Sequence, residues 1–483
     1  MVLKQICKNK LVFYLASRYL TYFIQFVTSL VIAAELGPYY MGIWGFVLLI
    51  LNYFQQFHFG IANSFNVLYV HHRDNKNECD NYIINSMVLL VYLSLLVIAF
   101  YIFYRIFGLE SFEKYHADKY IIWICIIGIL QYFVQFFINL FRVKNQLNRV
   151  TFCQSIIVFL NFACIIFFKG EELIQWLIAS YIVGNIVCVI VAFFSGSVPI
   201  RRNIIVSFDY QWSIIKKGLF LFLYNSCFYF IIISIRTIIS SNYSVEEFGM
   251  FTFSFSLAHA ILLVLEALSF IIFPKVIGKL SSTIIEEVET TISMLRVSYI
   301  TSAHLLIYIA LPLFPIILYF LPKYEGAITT LNLIALSILM EINTYGYLEL
   351  LISRNKEKTA AALSSFALIL NCIIAFILVF IFYVGFSYVI SATMITYFVF
   401  SFLVIKMSQS LLKDCSFKQA LISIMPIRLV VPYATALILS VFSNETLMWV
   451  PLIIFIILNA KVLIQIKDII IKLMVKPEIV DMK

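Results

Sequence analysis

The chain has 483 residues, 63% of them hydrophobic and only 12% charged, with 34 Lys and Arg against 25 Asp and Glu and a net charge of +9. No soluble core could bury so much apolar surface at a mean hydropathy of +1.00. Apolar runs long enough to cross a bilayer recur from end to end, which excludes a soluble enzyme and leaves a polytopic membrane protein.

The first run, 11–33, contains a single charged residue, Arg18. Lys4, Lys8 and Lys10 precede it, but the run is too long for the core of a cleaved signal and reads as a retained span. A guanidinium stays protonated, and holding it at the centre of a transmembrane helix costs at least about 2.5 kcal/mol. Arg18 therefore either faces a wet cavity or snorkels its stem back to the cytoplasmic headgroups. A Gly37-Pro38 turn follows, and Gly42 and Trp44 open a second apolar helix.

The remaining pattern predicts spans at 11–33, 40–59, 83–107, 120–141, 151–168, 174–194, 217–240, 248–273, 297–320, 329–352, 359–382, 385–405, 421–442 and 447–466, about fourteen transmembrane helices in an all-α fold. The breaks on one side hold twenty-six Lys and Arg against four on the other, so both termini are expected in the cytoplasm. The positive balance is this inside bias and not a nucleic-acid footprint. The nine cysteines form no CxxC and no His/Cys metal spacing; they read as small apolar residues or reduced thiols, and no metal is expected.

A weak internal repeat divides the chain. Leu36 to Phe46 (LGPYYMGIWGF) is echoed by Tyr243 to Phe253 (YSVEEFGMFTF), with Gly42 matching Gly249, and Arg142 to Gln146 is echoed by Arg354 to Lys358. The repeat predicts an N-terminal lobe at 1–200 (helices 1–6) and a C-terminal lobe at 201–410 (helices 7–12), related by a parallel pseudo-two-fold. Two extra helices and a cytoplasmic tail at 411–483 complete the chain.

Ser17-Arg18, the Leu36-Gly37-Pro38 turn with Gly42, His58-Phe59-Gly60-Ile61 closing the second helix, and Arg236 ahead of the repeat resemble the polysaccharide transporter family of the MOP superfamily. That family includes the Wzx-type O-antigen and capsule repeat-unit flippases. The resemblance implies a non-enzymatic flippase in the bacterial cytoplasmic (inner) membrane, moving an undecaprenyl-diphosphate-linked oligosaccharide, a lipopolysaccharide or capsule precursor, to the periplasmic leaflet by alternating access. Its partners would be that lipid-linked oligosaccharide, membrane lipid and a polysaccharide polymerase or chain-length machinery, with no nucleic acid. No cofactor is implied, and proton or sodium coupling stays open. Two departures reduce negative charge: His58 and Ile235 stand where the family often has acidic residues.

Polar residues within the spans are the candidate site. Arg18 and Arg236 are placed by the repeat in equivalent helices and would bind the diphosphate through bidentate contacts, with outward snorkelling of Arg236 as the alternative. Glu266 and Glu341 either couple ions and pair with arginine or sit protonated and hydrogen-bonded, and Glu349 reads as interfacial. His58, His259 and His304 are proton-sensitive groups or helix-to-helix donors, and Gln25 lines a cavity or joins the structural amides. Gln131, Gln135 and Asn139 form one polar stripe that either joins helices or binds sugar hydroxyls, and Pro312 and Pro315 either belong to ordinary span termination or make the ninth span bendable. Two other functions fit less well. A cation-coupled multidrug exporter would want a carboxylate where the first span has Arg18, and a membrane polymerase or ligase would want a larger outside loop than 108–119.

Overall fold

Long apolar segments with few interior Gly or Pro residues must satisfy their backbone polar groups internally, and helices do this within one segment. The computed structural model describes residues 10–108, 110–199, 205–412, 417–442 and 445–475, and all regular structure among them is helical. In chain order the helices are α1 (Lys10–Gln56), α2 (Ile61–His71), α3 (Lys76–Phe107), α4 (Glu110–Lys114), α5 (Ile121–Val143), α6 (Leu147–Phe167), α7 (Gly170–Phe194), α8 (Phe208–Asn242) and α9 (Val245–Leu280). They continue with α10 (Ile285–Leu295), α11 (Thr301–Ala310), α12 (Phe314–Phe320), α13 (Ile328–Ile342), α14 (Tyr347–Ser353), α15 (Glu357–Phe376), α16 (Ser391–Gln409), α17 (Phe417–Ile424), α18 (Ile427–Val441) and α19 (Trp449–Val475). Cys7, Arg201, Arg202 and Cys415 lie outside the described residues.

Eleven helices among the described residues are long and apolar enough to cross a membrane, against the fourteen expected. The first two expected spans run together through α1, and the thirteenth is only the 15-residue α18. The eighth lies in α9, where the side chains of 264 and 266–275 are outside the described set, so it is not among the eleven. The expected loop 60–82 is also largely helical, because it contains α2.

Within α1 the two spans are separated by one residue and not by a loop. Gly37 has φ 64 and ψ 173, a conformation essentially restricted to glycine, and the following Pro38 disfavours a helical residue before it. Gly37→Ala is therefore expected to destabilise the protein by about 1–3 kcal/mol, read as a lowered unfolding midpoint in detergent. An unchanged midpoint would mean that the break tolerates a side chain.

The described chain divides into two compact units, Met1–Ser226 with Arg236–Thr252, and Cys227–Ile235 with Phe253–Lys483. In the first, α1 packs along α6 and the bundle is joined by polar contacts between helices. Asn66 Nδ2 donates to Asn139 Oδ1 at 2.7 Å, so the end of the amide stripe on α5 joins helices. The Asn85 and Asn81 side chains pair with the backbone of residues 205 and 207 just before α8. Lys114 and Tyr115 both donate to the Ser240 carbonyl, at 2.8 Å each, capping the C-terminal end of α8.

Three small residues permit a close helix crossing in this unit. A Cβ built on Gly249 would lie 1.8 Å from the Pro38 carbonyl oxygen and 2.8 Å from Gly42 N. One built on Gly42 would lie 2.1 Å from the Val245 carbonyl oxygen, and one on Gly45 2.4 Å from Thr252 Oγ1. The two glycines matched in the sequence repeat thus meet each other's helices, as small residues do where membrane helices approach closely.

The second unit contains interrupted helices. Residues 285–320 form one apolar rod with a π-helical stretch at Arg296–Ile300 and a 3₁₀ turn at Leu311–Leu313 around Pro312. Between α13 and α14, Gly346 adopts φ 93 and its N–H donates to Glu349 Oε2 at 2.6 Å. Glu349 is consequently only 7% exposed, a buried cap and not the interfacial carboxylate expected. Asn371 bridges to the Ile231 carbonyl and Ser234 Oγ at 2.9 Å each. His304 is fully buried, 3.1 Å from the Tyr308 hydroxyl and parallel to the Phe455 ring, which makes it an interhelical packing residue.

Candidate functional site

Arg18, Gln25, His58 and Arg236 fall in the first unit, and His259, Glu266 and Glu341 in the second. The site is best defined around Arg18. The residue is half-buried on α1, and four residues along the same helix face Tyr22 receives it: Nη2 donates to the Tyr22 hydroxyl at 2.6 Å and the guanidinium lies 4.5 Å from the ring centre. Arg18 Nε is buried with no hydrogen-bond partner, and no carboxylate pairs with Arg18 among the described residues.

The helix pair that presents Arg18 is fixed just beside it. Thr21 gives its hydroxyl proton to the Ser17 carbonyl at 2.8 Å, so the 2.8 Å contact with Ser155 on α6 is a bond that Ser155 donates. Gln154, next along α6, has a buried Oε1 without a partner, as does Gln131 on α5. The result is a cation held by an aromatic ring beside a hydrogen-bonded helix contact. Such a group can accept an anion, because Arg18 keeps a fork of N–H donors after its one bond to tyrosine.

Arg236 is placed differently. It is 2% exposed, its Nη2 donates to the Gly45 carbonyl at 3.2 Å, and its guanidinium lies 6.0 Å from the Phe248 ring centre. Next to it in sequence, Thr237 reaches a cavity of about 520 Å³ in the same unit. Phe46, Phe54, Phe57, Phe100 and Tyr132 supply aromatic walls, and Tyr53, Thr237, Ser240 and Ser241 supply hydroxyls. Tyr53 and Thr237 hydrogen-bond each other at 2.7 Å. Arg236 thus stands one residue behind the wall of an aromatic, hydroxyl-edged chamber.

The other expected site residues are scattered. Gln25 is exposed, and its main-chain carbonyl accepts from Ser29 Oγ at 2.8 Å. His58 packs edge-on to Phe222 with Nδ1 3.3 Å from the Gln56 carbonyl. His259 lies 4.0 Å from the ring centre of Phe255 and 3.0 Å from its carbonyl. Glu341 is half-buried on α13 and makes no ion pair among the described residues. The side chain of Glu266 lies outside the described set. Among the described residues no group of three or more His, Cys, Asp or Glu comes together as a metal site, and the described cysteines are free thiols.

Sequence reasoning missed Tyr53 and Thr237, whose 184-residue separation gives no local signal. Tyr22 did carry one, since an aromatic four residues after an arginine on a helix shares its face.

These features define a multi-pass helical membrane protein with a cationic and an aromatic site inside one bundle. The profile of the family described as polysaccharide biosynthesis protein matches residues 6–277, more than half of the chain, and the chain belongs to that family. No curated protein matches its sequence significantly. Among solved structures, an inward-facing multidrug resistance MATE family transporter of the MOP superfamily is similar, at 13% identity and a TM-score of 0.64 over 84% of this chain and 98% of that one. The outward-facing conformation of such a transporter gives 15% identity and a TM-score of 0.55 over 85% and 99%. A Pyrococcus furiosus MOP superfamily transporter, described as having a binding pocket of reverse polarity that suggests a different function, gives 14% and 0.52 over 85% and 98%. The fold is that of MOP-superfamily transporters.

Proposed function

We propose that the protein is a flippase that carries a lipid-linked oligosaccharide, joined to undecaprenyl through a diphosphate, from the cytoplasmic to the periplasmic leaflet by alternating access. The observation that carries this reading is Arg18: a half-buried cation in a membrane-length helix, with no carboxylate partner and no acceptor for its buried Nε among the described residues. A lipid diphosphate supplies the acceptors that such a guanidinium lacks, whereas a cationic drug is repelled by it. Membership in a polysaccharide biosynthesis family supports a sugar-bearing cargo, and the aromatic chamber offers ring faces and hydroxyls to sugar rings.

The test is glycan export in cells. A charge-assisted hydrogen bond contributes about 1.5–3 kcal/mol, so Arg18→Ala is expected to lower export roughly tenfold to a hundredfold at normal expression. Arg18→Lys, which keeps the charge without the planar fork, should fall between. Wild-type export by Arg18→Ala would remove the proposal. Ethidium efflux from a pump-deficient host, without a glycan phenotype, would replace it with drug export.

A further inference from the structure

A cleft of about 380 Å³ in the second unit shares no residue with the Arg18 site or the aromatic chamber. It is lined by α10 and the π-helical stretch that follows it, the start of α14, the end of α16, the end of α17 and the first turn of α18, with Glu289, Arg296, Gln409, Ser423 and Arg428 as its chief polar residues.

Arg296 is held rigidly there. Nη1 donates to the Asn343 carbonyl at 2.5 Å, and Nη2 to the carbonyls of Ser423 and Ile424 at 2.5 and 3.0 Å. Its guanidinium lies 4.9 Å from the Tyr347 ring centre. A guanidinium has about five N–H donors, so these three bonds leave roughly two for a further acceptor. Arg428 is half-buried in the same lining, and its guanidinium has no hydrogen-bond partner among the described residues. The bonds around Arg296 fix its plane before any ligand arrives, so little ordering is needed on binding.

The rim of the cleft has a different chemistry. Ile422 in its lining is 57% exposed, and Ile427, adjacent to Arg428, is 79% exposed. Large exposed aliphatics in and next to the lining of a doubly basic cleft, in a chain that spans a bilayer, fit a molecule with an anionic head and apolar tails. Lys279 precedes the segment that carries Glu289 and Arg296, and Lys406 precedes Gln409, so the lining belongs to the Lys- and Arg-rich side of the chain, hence to the cytoplasmic leaflet under the positive-inside bias. Glu289 in the same lining opposes a head of purely negative charge and favours one that also carries an amine.

We propose that this cleft binds a phospholipid of the cytoplasmic leaflet through its headgroup, with the phosphate between Arg296 and Arg428 and the amine toward Glu289. The bound lipid would tie α17, the link into the last two helices, to the interrupted span at Arg296–Ile300.

The experiment titrates the purified full-length protein, stripped of lipid in detergent, with short-chain phosphatidylethanolamine, phosphatidylglycerol or inorganic phosphate while the unfolding midpoint is followed. Phosphatidylethanolamine is expected to raise the midpoint saturably and at lower concentration than phosphatidylglycerol, with no shift from phosphate at matched concentration. Arg428→Gln, which breaks no hydrogen bond or ion pair among the described residues, should leave the lipid-free midpoint nearly unchanged and weaken the lipid's apparent affinity at least about tenfold. Arg428→Lys should be intermediate, and Glu289→Gln should abolish the preference between the two lipids. A wild-type response from Arg428→Gln, an equal shift from inorganic phosphate, or a preference for phosphatidylglycerol would each overturn the proposal.

Discussion

Gly249→Ala is expected to remove most of the folded protein. The added Cβ would lie 1.8 Å from the Pro38 carbonyl oxygen, and both partners in that clash are helix backbone. Overpacking typically costs about 1–3 kcal/mol and more where nothing flexible can yield, which is a large share of a marginal stability. Gly278 is the internal control. It too lies in α9, but a Cβ there meets nothing within 4 Å, and Gly278→Ala should be neutral or stabilising by up to about 1 kcal/mol through helix propensity. Folded yield by detergent size exclusion and the unfolding midpoint measure both variants; equal behaviour would show that the crossing is looser than described.

The second large effect is expected at Arg236, and it separates architecture from transport. Truncating this 2% exposed side chain to alanine opens a hole between α8 and the helices that carry Gly45 and Phe248, at a cost of about 2–5 kcal/mol for a long buried side chain. Arg236→Ala should therefore lower the folded yield well beyond Arg18→Ala. Arg236→Met refills most of the volume without the charge, and replacing buried charge by well-packed apolar groups is often tolerated. Folded Arg236→Met that still exports glycan would make Arg236 a positioning residue behind the chamber wall. Folded Arg236→Met that has lost export would place its cation among the substrate contacts with Arg18.

Particular residues show how far sequence reached. Arg18 was legible because a charge in an otherwise apolar 23-residue run has few physical explanations, and Tyr22 could be read from helical spacing. Arg236 was legible as an intramembrane cation but not as a buried one, since its burial depends on Gly45, 191 residues earlier. The expected interfacial position of Glu349 failed because Gly346 breaks the helix and needs its N–H capped. Similarly, α2 was read as a loop because His71, His72 and Arg73 mask the end of a short helix by hydropathy.

The sequence alone determined that the chain is a helical, multi-pass membrane protein in a polysaccharide-related family, because hydrocarbon leaves a backbone no other way to satisfy its polar groups and because the motif residues are local. It also showed Gly42 and Gly249 as a matched pair. Only the tertiary structure decided that these glycines touch, that Arg236 packs on the Gly45 carbonyl while Arg18 packs on Tyr22, and that Arg296 and Arg428 share a cleft. The physical reason is the same in each case: whether a polar side chain is satisfied depends on which distant backbone lies within about 3 Å of it, and no spacing along the chain encodes that.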